Sequence, residues 1–204
     1  VAGIGAMTAL GAAIIAGLKQ DLKRILAYST VSHLGLMMLA LGLGQVGAAV
    51  FHLIVHGFFK AALFLCVGNI GHALGRSTAN VDEVGGFGRF LPVTYACFCA
   101  AALSSAGLPP FGGFFSKDAI LDAAWRHGGW MSAAALLTAA LSAFSIFRML
   151  LLTFHGERPQ QARGAGLPLH EAGPGLLVPV GFLCLGALGA GLLRRPVEKM
   201  LTAG

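Results

Sequence analysis

The sequence predicts an all-α protein, a polytopic bundle of transmembrane helices in which one helix is discontinuous. Three observations support this fold class. Hydrophobic residues make up 56% of the 204 residues and charged residues only 11%, whereas a soluble domain usually has about a quarter charged residues. The apolar stretches are long enough to cross a bilayer, and one of them is interrupted by glycines and prolines.

The apolar stretches define six crossings, because a transmembrane helix needs about 20 predominantly apolar residues. In chain order they are 1–18, 26–43, 47–74, 91–125 with an interruption, 129–153 and 175–193. The fourth is one discontinuous crossing: Gly107, Pro109 and Pro110 break a regular helix, and the piece after them is too short to cross alone. Broken helices at membrane depth are tolerated where they are buried in protein or line a wet cavity.

The prolines after the fifth crossing divide the chain into three parts. Residues 1–154 form a five-helix unit with the broken helix at 91–125, residues 155–174 a loop, and residues 175–204 an additional transmembrane helix with a short tail. The chain begins without Met and enters an apolar stretch at once. We therefore expect it to be a piece of a longer polypeptide.

The positive charges lie mostly at the ends of the apolar stretches. If the crossings alternate, one side of the membrane receives Lys19, Lys23, Arg24, Arg76, Arg89, Arg158 and Arg163, and the other receives Arg126, Arg194, Arg195 and Lys199. The first side is then cytoplasmic by the positive-inside rule. This placement is that of a membrane protein in contact with lipid, so the net charge of +6 does not indicate a nucleic-acid partner.

Lys60 lies near the middle of the third crossing, with His52 and His56 before it at helical spacing. Residues four apart share a helix face and are separated by about 6 Å along the axis. An ionisable residue at that depth costs about 2.5–3.5 kcal/mol on insertion scales, and histidine titrates near neutral pH. Joined by water, this stripe can pass protons; the alternative is that the histidines only hold helices together.

Lys117 and Asp118 follow the Pro-Pro break, where helix ends and water can support charge. The alternative is an ion-paired helix start at the membrane surface, in which Asp122 pairs with Lys117 or Arg126.

Ser29, Ser32 and His33 lie on one face of the second crossing and form either a water path or packing contacts between helices. Lys23 lies near the cytoplasmic end of that crossing, where a lysine also serves as a simple anchor.

Motifs for other chemistry are missing from the sequence. It has no P-loop, no GxGxxG fingerprint and no set of cysteines for haem or iron–sulfur clusters. We therefore predict no catalytic redox residue, no cofactor site and no metal ligand in this chain.

Three motifs carry a family resemblance. Residues 21–35 (DLKRILAYSTVSHLG), 51–61 (FHLIVHGFFKA) and 107–118 (GLPPFGGFFSKD), with the ending 153–156, resemble the antiporter-like membrane subunits of respiratory complex I. The resemblance is greatest to the subunit L type, called subunit 5 in mitochondria. This proton-translocating family is shared with multi-subunit Na⁺/H⁺ antiporters, and the resemblance covers essentially the whole chain.

The resemblance implies a fold and a set of site residues. Such subunits have two inverted five-helix repeats, each with a broken helix, and a central chain of Lys, His, Glu and water that carries protons. This chain resembles the second repeat plus one further helix, without the first repeat and its Glu–Lys pair. The family's central lysine maps onto Lys60 and its histidine partners onto His52 and His56. The lysine at the broken helix maps onto Lys117, and Lys23 matches a further lysine.

The resemblance also implies a function, which is proton translocation in the membrane arm of an NADH:quinone oxidoreductase. We expect a multi-pass subunit of the bacterial inner membrane, in contact with other membrane-arm subunits, lipid and internal water. Flavin and iron–sulfur clusters would belong to partner subunits, and quinone would bind elsewhere. The alternatives are a subunit of a multi-subunit Na⁺/H⁺ antiporter, a subunit of a membrane-bound hydrogenase, and a structural fragment without transport.

Overall fold

The structure is a computed structural model that describes residues 1–75, 80–156 and 170–193. Within these residues the chain forms seven α-helices and two short 3₁₀ turns. The helices are α1 (Ala2–Leu18), α2 (Leu22–Gly42), α3 (Val46–Ala73), α4 (Pro92–Ala106), α5 (Gly112–His127), α6 (Gly129–Phe154) and α7 (Pro174–Gly189).

The fold class predicted from the sequence is confirmed, because the described residues are helical and contain no β-strand. Among them, α2, α3 and α6 are long and apolar enough to cross a membrane. The helices α1, α4 and α7 are apolar but shorter, at 17, 15 and 16 residues. The predicted discontinuous helix is present as α4 and α5, which lie on either side of the Pro-Pro break.

The start of α2 differs from the predicted span of 26–43. The helix begins at Leu22, because the side chain of Asp21 accepts a hydrogen bond of 2.8 Å from the backbone N–H of Arg24. This N-cap satisfies a donor that the helix leaves free, and so extends α2 beyond its apolar residues. The division of the chain at 154 and 174 stays a prediction, since residues 157–169 and 194–204 lie outside the described part.

Helix α3 occupies the centre of the bundle. It packs against α2, α4, α5 and α7, and large side chains such as Phe51 and Phe59 are almost fully buried along it. A polar residue on the inner face of α3 is therefore surrounded by protein. This explains how the chain accommodates charge at this depth.

The two halves of the broken helix approach each other closely at Gly113. A Cβ atom on Gly113 would lie 1.7 Å from the carbonyl oxygen of Ser104 in α4. The backbone N–H of Gly113 also donates to Ser104 Oγ, at 3.3 Å. Only glycine fits between the two helices at this point, and this contact sets the position of the residues that follow in α5.

Arg148 of α6 fixes the end of α1. Its Nη1 donates to the carbonyl oxygens of Gly17 and Lys19, at 3.2 and 3.0 Å. These carbonyls lie at the C-terminus of α1, where the helix dipole favours a positive charge. The guanidinium thus joins α6 to α1 near one end of the bundle.

Candidate functional site

Eight buried polar side chains lie together between α2, α3, α5 and α6. They are Ser29 and His33 of α2, His52, His56 and Lys60 of α3, Ser116 and Lys117 of α5, and Ser142 of α6. Each is at most 7% exposed, and we call them the polar cluster. No Asp or Glu is buried in the described part of the chain. The cluster therefore combines two lysines and three histidines with no buried carboxylate to balance them.

Lys60 lies at one end of the polar cluster. Its Nζ donates a hydrogen bond of 2.7 Å to Ser29 Oγ of α2, and the side chain is 4% exposed. Ser29 is one helical turn from His33 on the same face of α2, so the contact brings Lys60 close to the histidines. The predicted stripe of His52, His56 and Lys60 therefore faces α2 inside the bundle.

Lys117 lies at the other end, and the broken helix forms its binding site. Helix α4 ends in a Schellman motif: Gly107 has φ +82°, its N–H binds the Ser104 carbonyl, and the N–H of Leu108 binds the Leu103 carbonyl. Two further carbonyls of the last turn remain as acceptors. Lys117 Nζ donates to both, at 2.7 Å to Ser105 and 3.4 Å to Ala106.

This arrangement explains why an ammonium group is held without a carboxylate. The C-terminal end of α4 carries the partial negative charge of the helix dipole, which favours a cation. Lys117 Nζ also lies 3.4 Å from Ser142 Oγ of α6. The lysine therefore connects the end of α4 to the centre of the cluster.

His33 lies at the centre of a chain of hydrogen bonds inside the polar cluster. Its Nε2 lies 3.3 Å from Ser142 Oγ, and its Nδ1 lies 2.9 Å from His52 Nε2. His52 in turn places its Nδ1 2.8 Å from Ser116 Oγ. A continuous chain of hydrogen bonds thus runs Lys117–Ser142–His33–His52–Ser116, through side chains of four helices.

The chain can be oriented in two consistent ways. With Lys117 charged, each link donates to the next: Lys117 to Ser142, Ser142 to His33 Nε2, His33 Nδ1–H to His52 Nε2, and His52 Nδ1–H to Ser116. Ser116 then donates to the Gly113 carbonyl. With Lys117 neutral, its amine accepts and every link can reverse, because hydroxyls and imidazoles both donate and accept.

His56 lies beside this chain without joining it. Its ring centre is 5.2 Å from that of His33 and 6.2 Å from that of His52, and the described residues offer its buried Nε2 no hydrogen-bond partner. Phe59 packs edge-on against the His33 and His56 rings. A buried nitrogen in this position normally binds a water molecule, which would bridge toward its neighbours.

The structure places three predicted site residues outside the cluster. Ser32 donates to the Ala9 carbonyl of α1, so it joins helices. Asp118 is exposed, although it follows Lys117 directly. Lys23 is half-buried in the first turn of α2, six residues and about 9 Å before Ser29. The predicted helix-break residues Gly107, Pro109 and Pro110 lie between α4 and α5.

Of the two ion pairs considered for Asp122, the structure shows the one with Arg126 and not the one with Lys117. Asp122 pairs with Arg126, at 2.9 Å on the exposed side of α5.

The sequence analysis did not identify three residues that belong to the polar cluster or pack against it: Phe59, Ser116 and Ser142. Thr138, Ser142 and Ser145 recur at helical spacing in an apolar helix and are buried, and this pattern was the available signal. Within the described residues, no group of His, Cys, Asp or Glu could hold a metal ion.

Comparison with known proteins gives a consistent match. The family described as "NADH:quinone oxidoreductase/Mrp antiporter, TM" matches residues 1–142. NADH-quinone oxidoreductase subunit L of Mycobacterium tuberculosis is 44% identical over 194 residues, covering 92% of this chain and 30% of the relative. F(420)H(2) dehydrogenase subunit L of Methanosarcina mazei is 41% identical over 212 residues, covering 96% of this chain and 30% of the relative.

A solved structure has the same fold. The membrane-bound sulfane sulfur reductase, an archaeal respiratory membrane complex, contains a chain that superposes with a TM-score of 0.86 at 29% identity. The match covers 96% of this chain and 33% of that one. The chain thus spans about 30% of the length of the curated relatives it matches.

Proposed function

The chain belongs to the membrane-spanning family that NADH:quinone oxidoreductases and Mrp antiporters share, and from this premise we propose that it moves protons across the membrane as part of an NADH:quinone oxidoreductase. Its polar cluster would be the proton path. The subunit L relative, at 44% identity, supports the choice of complex.

The observation that carries this proposal is the reversible chain of hydrogen bonds from Lys117 to Ser116. A proton that enters one end of such a chain can leave at the other, after each imidazole or hydroxyl has passed on its own proton. The chain must then rotate back to its starting orientation. In both orientations every imidazole nitrogen and hydroxyl of the chain has a hydrogen-bond partner, and reversal gives up only the bond from Ser116 to the Gly113 carbonyl.

Lys60 would be the proton reservoir on the other side of the histidines. Its ammonium is held by Ser29, and His56 lies one helical turn away with an unpartnered nitrogen. Water bound at His56 would connect Lys60 to Ser116, because both ring nitrogens of His33 and of His52 are already engaged in the chain. A proton could then move from Lys60 to Ser116 and along the chain to Lys117.

Repulsion between charges on Lys60 and Lys117 would drive the transfer of the proton. Lys60 and Lys117 share a low-dielectric interior in which no carboxylate of the described residues is buried. A charge on one lysine therefore raises the free energy of a charge on the other. A change in the electric field that arises in partner subunits would stabilise the charge on one lysine and displace the proton from the other.

The positions of positive charges suggest the orientation. Lys19 lies in the α1–α2 connection, and Lys23 and Arg24 lie in the first turn of α2. By the positive-inside rule this end of the two helices faces the cytoplasm of a bacterial inner membrane. Lys23, at the start of α2, would receive protons on that side. Lys117 would release them toward the outside.

Partner subunits would supply the redox chemistry, for which this sequence has no motif. The printed names of the relatives include an NADH-quinone oxidoreductase, an F(420)H(2) dehydrogenase and a sulfane sulfur reductase. Related membrane subunits thus occur in complexes that carry out different electron-transfer reactions. The family description also includes Mrp antiporters, so sodium/proton exchange is the second candidate function.

The test uses inverted membrane vesicles from cells whose full complex carries Lys60→Ala. NADH is added, and acidification of the vesicle interior is followed with a quenching dye. We expect acidification to fall by at least tenfold, while electron transfer from NADH to an artificial acceptor continues. Lys19→Ala is the matched control, because that lysine lies 5.7 Å from the Tyr28 ring, outside the polar cluster.

Two results would go against the proposal. Normal acidification by the Lys60→Ala vesicles would show that the polar cluster does not carry the protons. Proton movement driven by a sodium gradient in the unmodified vesicles, with no response to NADH, would identify the antiporter function in its place.

A further inference from the structure

We propose that Glu171 is a positioning residue for the proton path: it holds the N-terminal end of α4 and thereby fixes the carbonyl groups at the other end that bind Lys117. This inference rests on the proposed function. Glu171 lies in the segment before α7, remote in sequence from the polar cluster, and no sequence pattern indicates a role for it.

The Glu171 carboxylate replaces a missing N-cap. Helix α4 begins at Pro92, and its N-cap residue Leu91 makes no side-chain cap. Glu171 accepts hydrogen bonds from the backbone N–H of Val93 at 2.9 Å and of Thr94 at 3.4 Å. It also accepts from Thr94 Oγ1, at 2.5 Å. A carboxylate at this end is also favoured by the helix dipole.

Thr94 extends this contact to the central helix. Its side chain is fully buried, and Oγ1 accepts a hydrogen bond of 3.3 Å from Asn69 Nδ2 of α3. The three residues Glu171, Thr94 and Asn69, which we call the α4 clamp, therefore join three parts of the chain. One of these parts, α3, also carries Lys60, His56 and His52.

Side chains of opposite charge bind the two ends of α4. Glu171 lies at its N-terminus, and the Ser105 and Ala106 carbonyls at its C-terminus accept from Lys117. A helix of 15 residues is about 22 Å long, so a tilt of a few degrees at one end moves the other by about 1 Å. The 3.4 Å contact between Lys117 and Ser142 cannot survive such a shift.

This geometry predicts that the α4 clamp acts on the same link as Ser142. Glu171→Gln removes the charge and leaves one acceptor oxygen where the carboxylate offers two, so the α4 N-terminus loses part of its cap and is freer to tilt against α3. Lys117 would then separate from Ser142, and proton transfer between them would slow. A residue that only stabilised the fold would change the amount of complex and leave the number of protons moved per NADH unaltered.

The experiment measures protons moved per NADH oxidised, in proteoliposomes that contain the full complex. We expect Glu171→Gln and Thr94→Val to lower this ratio by about threefold. Thr94→Ser keeps the hydroxyl and should restore the normal ratio. Asp82→Asn is the control, since that carboxylate is exposed in the connection between α3 and α4.

A double variant tests whether Glu171 acts through the Lys117–Ser142 link. If Ser142→Ala alone lowers the ratio about fivefold, the pair with Glu171→Gln should stay near fivefold, because both changes break one link. Multiplication of the two effects, to about fifteenfold, would overturn the inference. So would normal ratios in both Glu171→Gln and Thr94→Val.

Two further outcomes separate the role of Glu171 from the proposed function. If the Glu171→Gln complex does not assemble, the comparison of Thr94→Val with Thr94→Ser decides the question, and equal ratios in these two overturn the inference. If Lys60→Ala removes pumping while the α4 clamp variants pump normally, the proposed function stands and only the role of Glu171 is wrong.

Discussion

His33 and His52 meet at the centre of the bundle, where His33 Nδ1 lies 2.9 Å from His52 Nε2. The two rings are 14° from parallel with centres 5.2 Å apart, and both side chains are fully buried. Because one ring must donate and the other accept, the tautomer of His33 determines that of His52. Motion of a proton through either ring therefore requires a change in both.

Ser142 joins this histidine pair to Lys117, and its removal should interrupt the path. Ser142→Ala deletes a hydroxyl that contacts both Lys117 Nζ and His33 Nε2. Loss of one bridging hydrogen bond is worth about 1 kcal/mol, or about fivefold in rate. We expect NADH-driven acidification of vesicles to slow by this factor. Ser145→Ala is the matched control, because the Ser145 hydroxyl donates back to the Leu141 carbonyl of its own helix.

An equal slowing of acidification in the Ser142→Ala and Ser145→Ala vesicles would point to general loosening of α6. In that case Ser142 would have no specific role as a link.

Gly113 sets the distance between the two halves of the broken helix. In Gly113→Ala the new methyl would lie 1.7 Å from the Ser104 carbonyl oxygen, so α4 and α5 must separate. Overpacking of this kind costs about 1–3 kcal/mol. We expect a lower thermal midpoint of the complex and less complex in the membrane, measured by native gel electrophoresis. Gly57→Ala is the control, since in the described part of the chain no atom other than those of its two neighbours and its own helix backbone lies within 4 Å of its would-be Cβ.

A Gly113→Ala complex with the normal thermal midpoint would mean that α4 and α5 are not in close contact. The account of how Lys117 reaches the α4 carbonyls would then be wrong.

Arg148 stabilises the packing of α6 on α1. Arg148→Gln removes a charged donor from the Gly17 and Lys19 carbonyls, at a cost of about 2 kcal/mol. We expect the complex to lose activity at a lower temperature during heating. Arg126→Gln should leave that temperature unchanged, because its partner Asp122 is an exposed neighbour on the same helix. Equal shifts in both variants would contradict the assigned contact.

The fold could be predicted largely from apolar length and helix breakers. Six spans read from the sequence correspond to the observed helices, and the break at Gly107 to Pro110 falls where predicted. The start of α2 could not be read in the same way. It depends on one side-chain cap, from Asp21, at a position where the apolar pattern has not yet begun.

The site could be predicted only in part, because sequence spacing orders residues along one helix and says little about which helices meet. His52, His56 and Lys60 are grouped by their four-residue spacing within α3. The link from His33 to Ser142 joins residues 109 positions apart, and depends on the packing of α2 against α6. Asp118 shows the converse, since it adjoins Lys117 in sequence but faces away from the cluster.

The number of protons moved per NADH in a complex that carries His33→Ala tests whether protons pass along the polar cluster. This change removes the hydrogen bonds to both Ser142 and His52 and separates Lys117 from the other histidines. We expect the ratio to fall at least as far as in Ser142→Ala, with normal assembly and normal NADH oxidation by an artificial acceptor. His72→Ala, an exposed histidine at the end of α3, should pump normally. A normal ratio in His33→Ala would contradict the proposal that protons pass along the polar cluster.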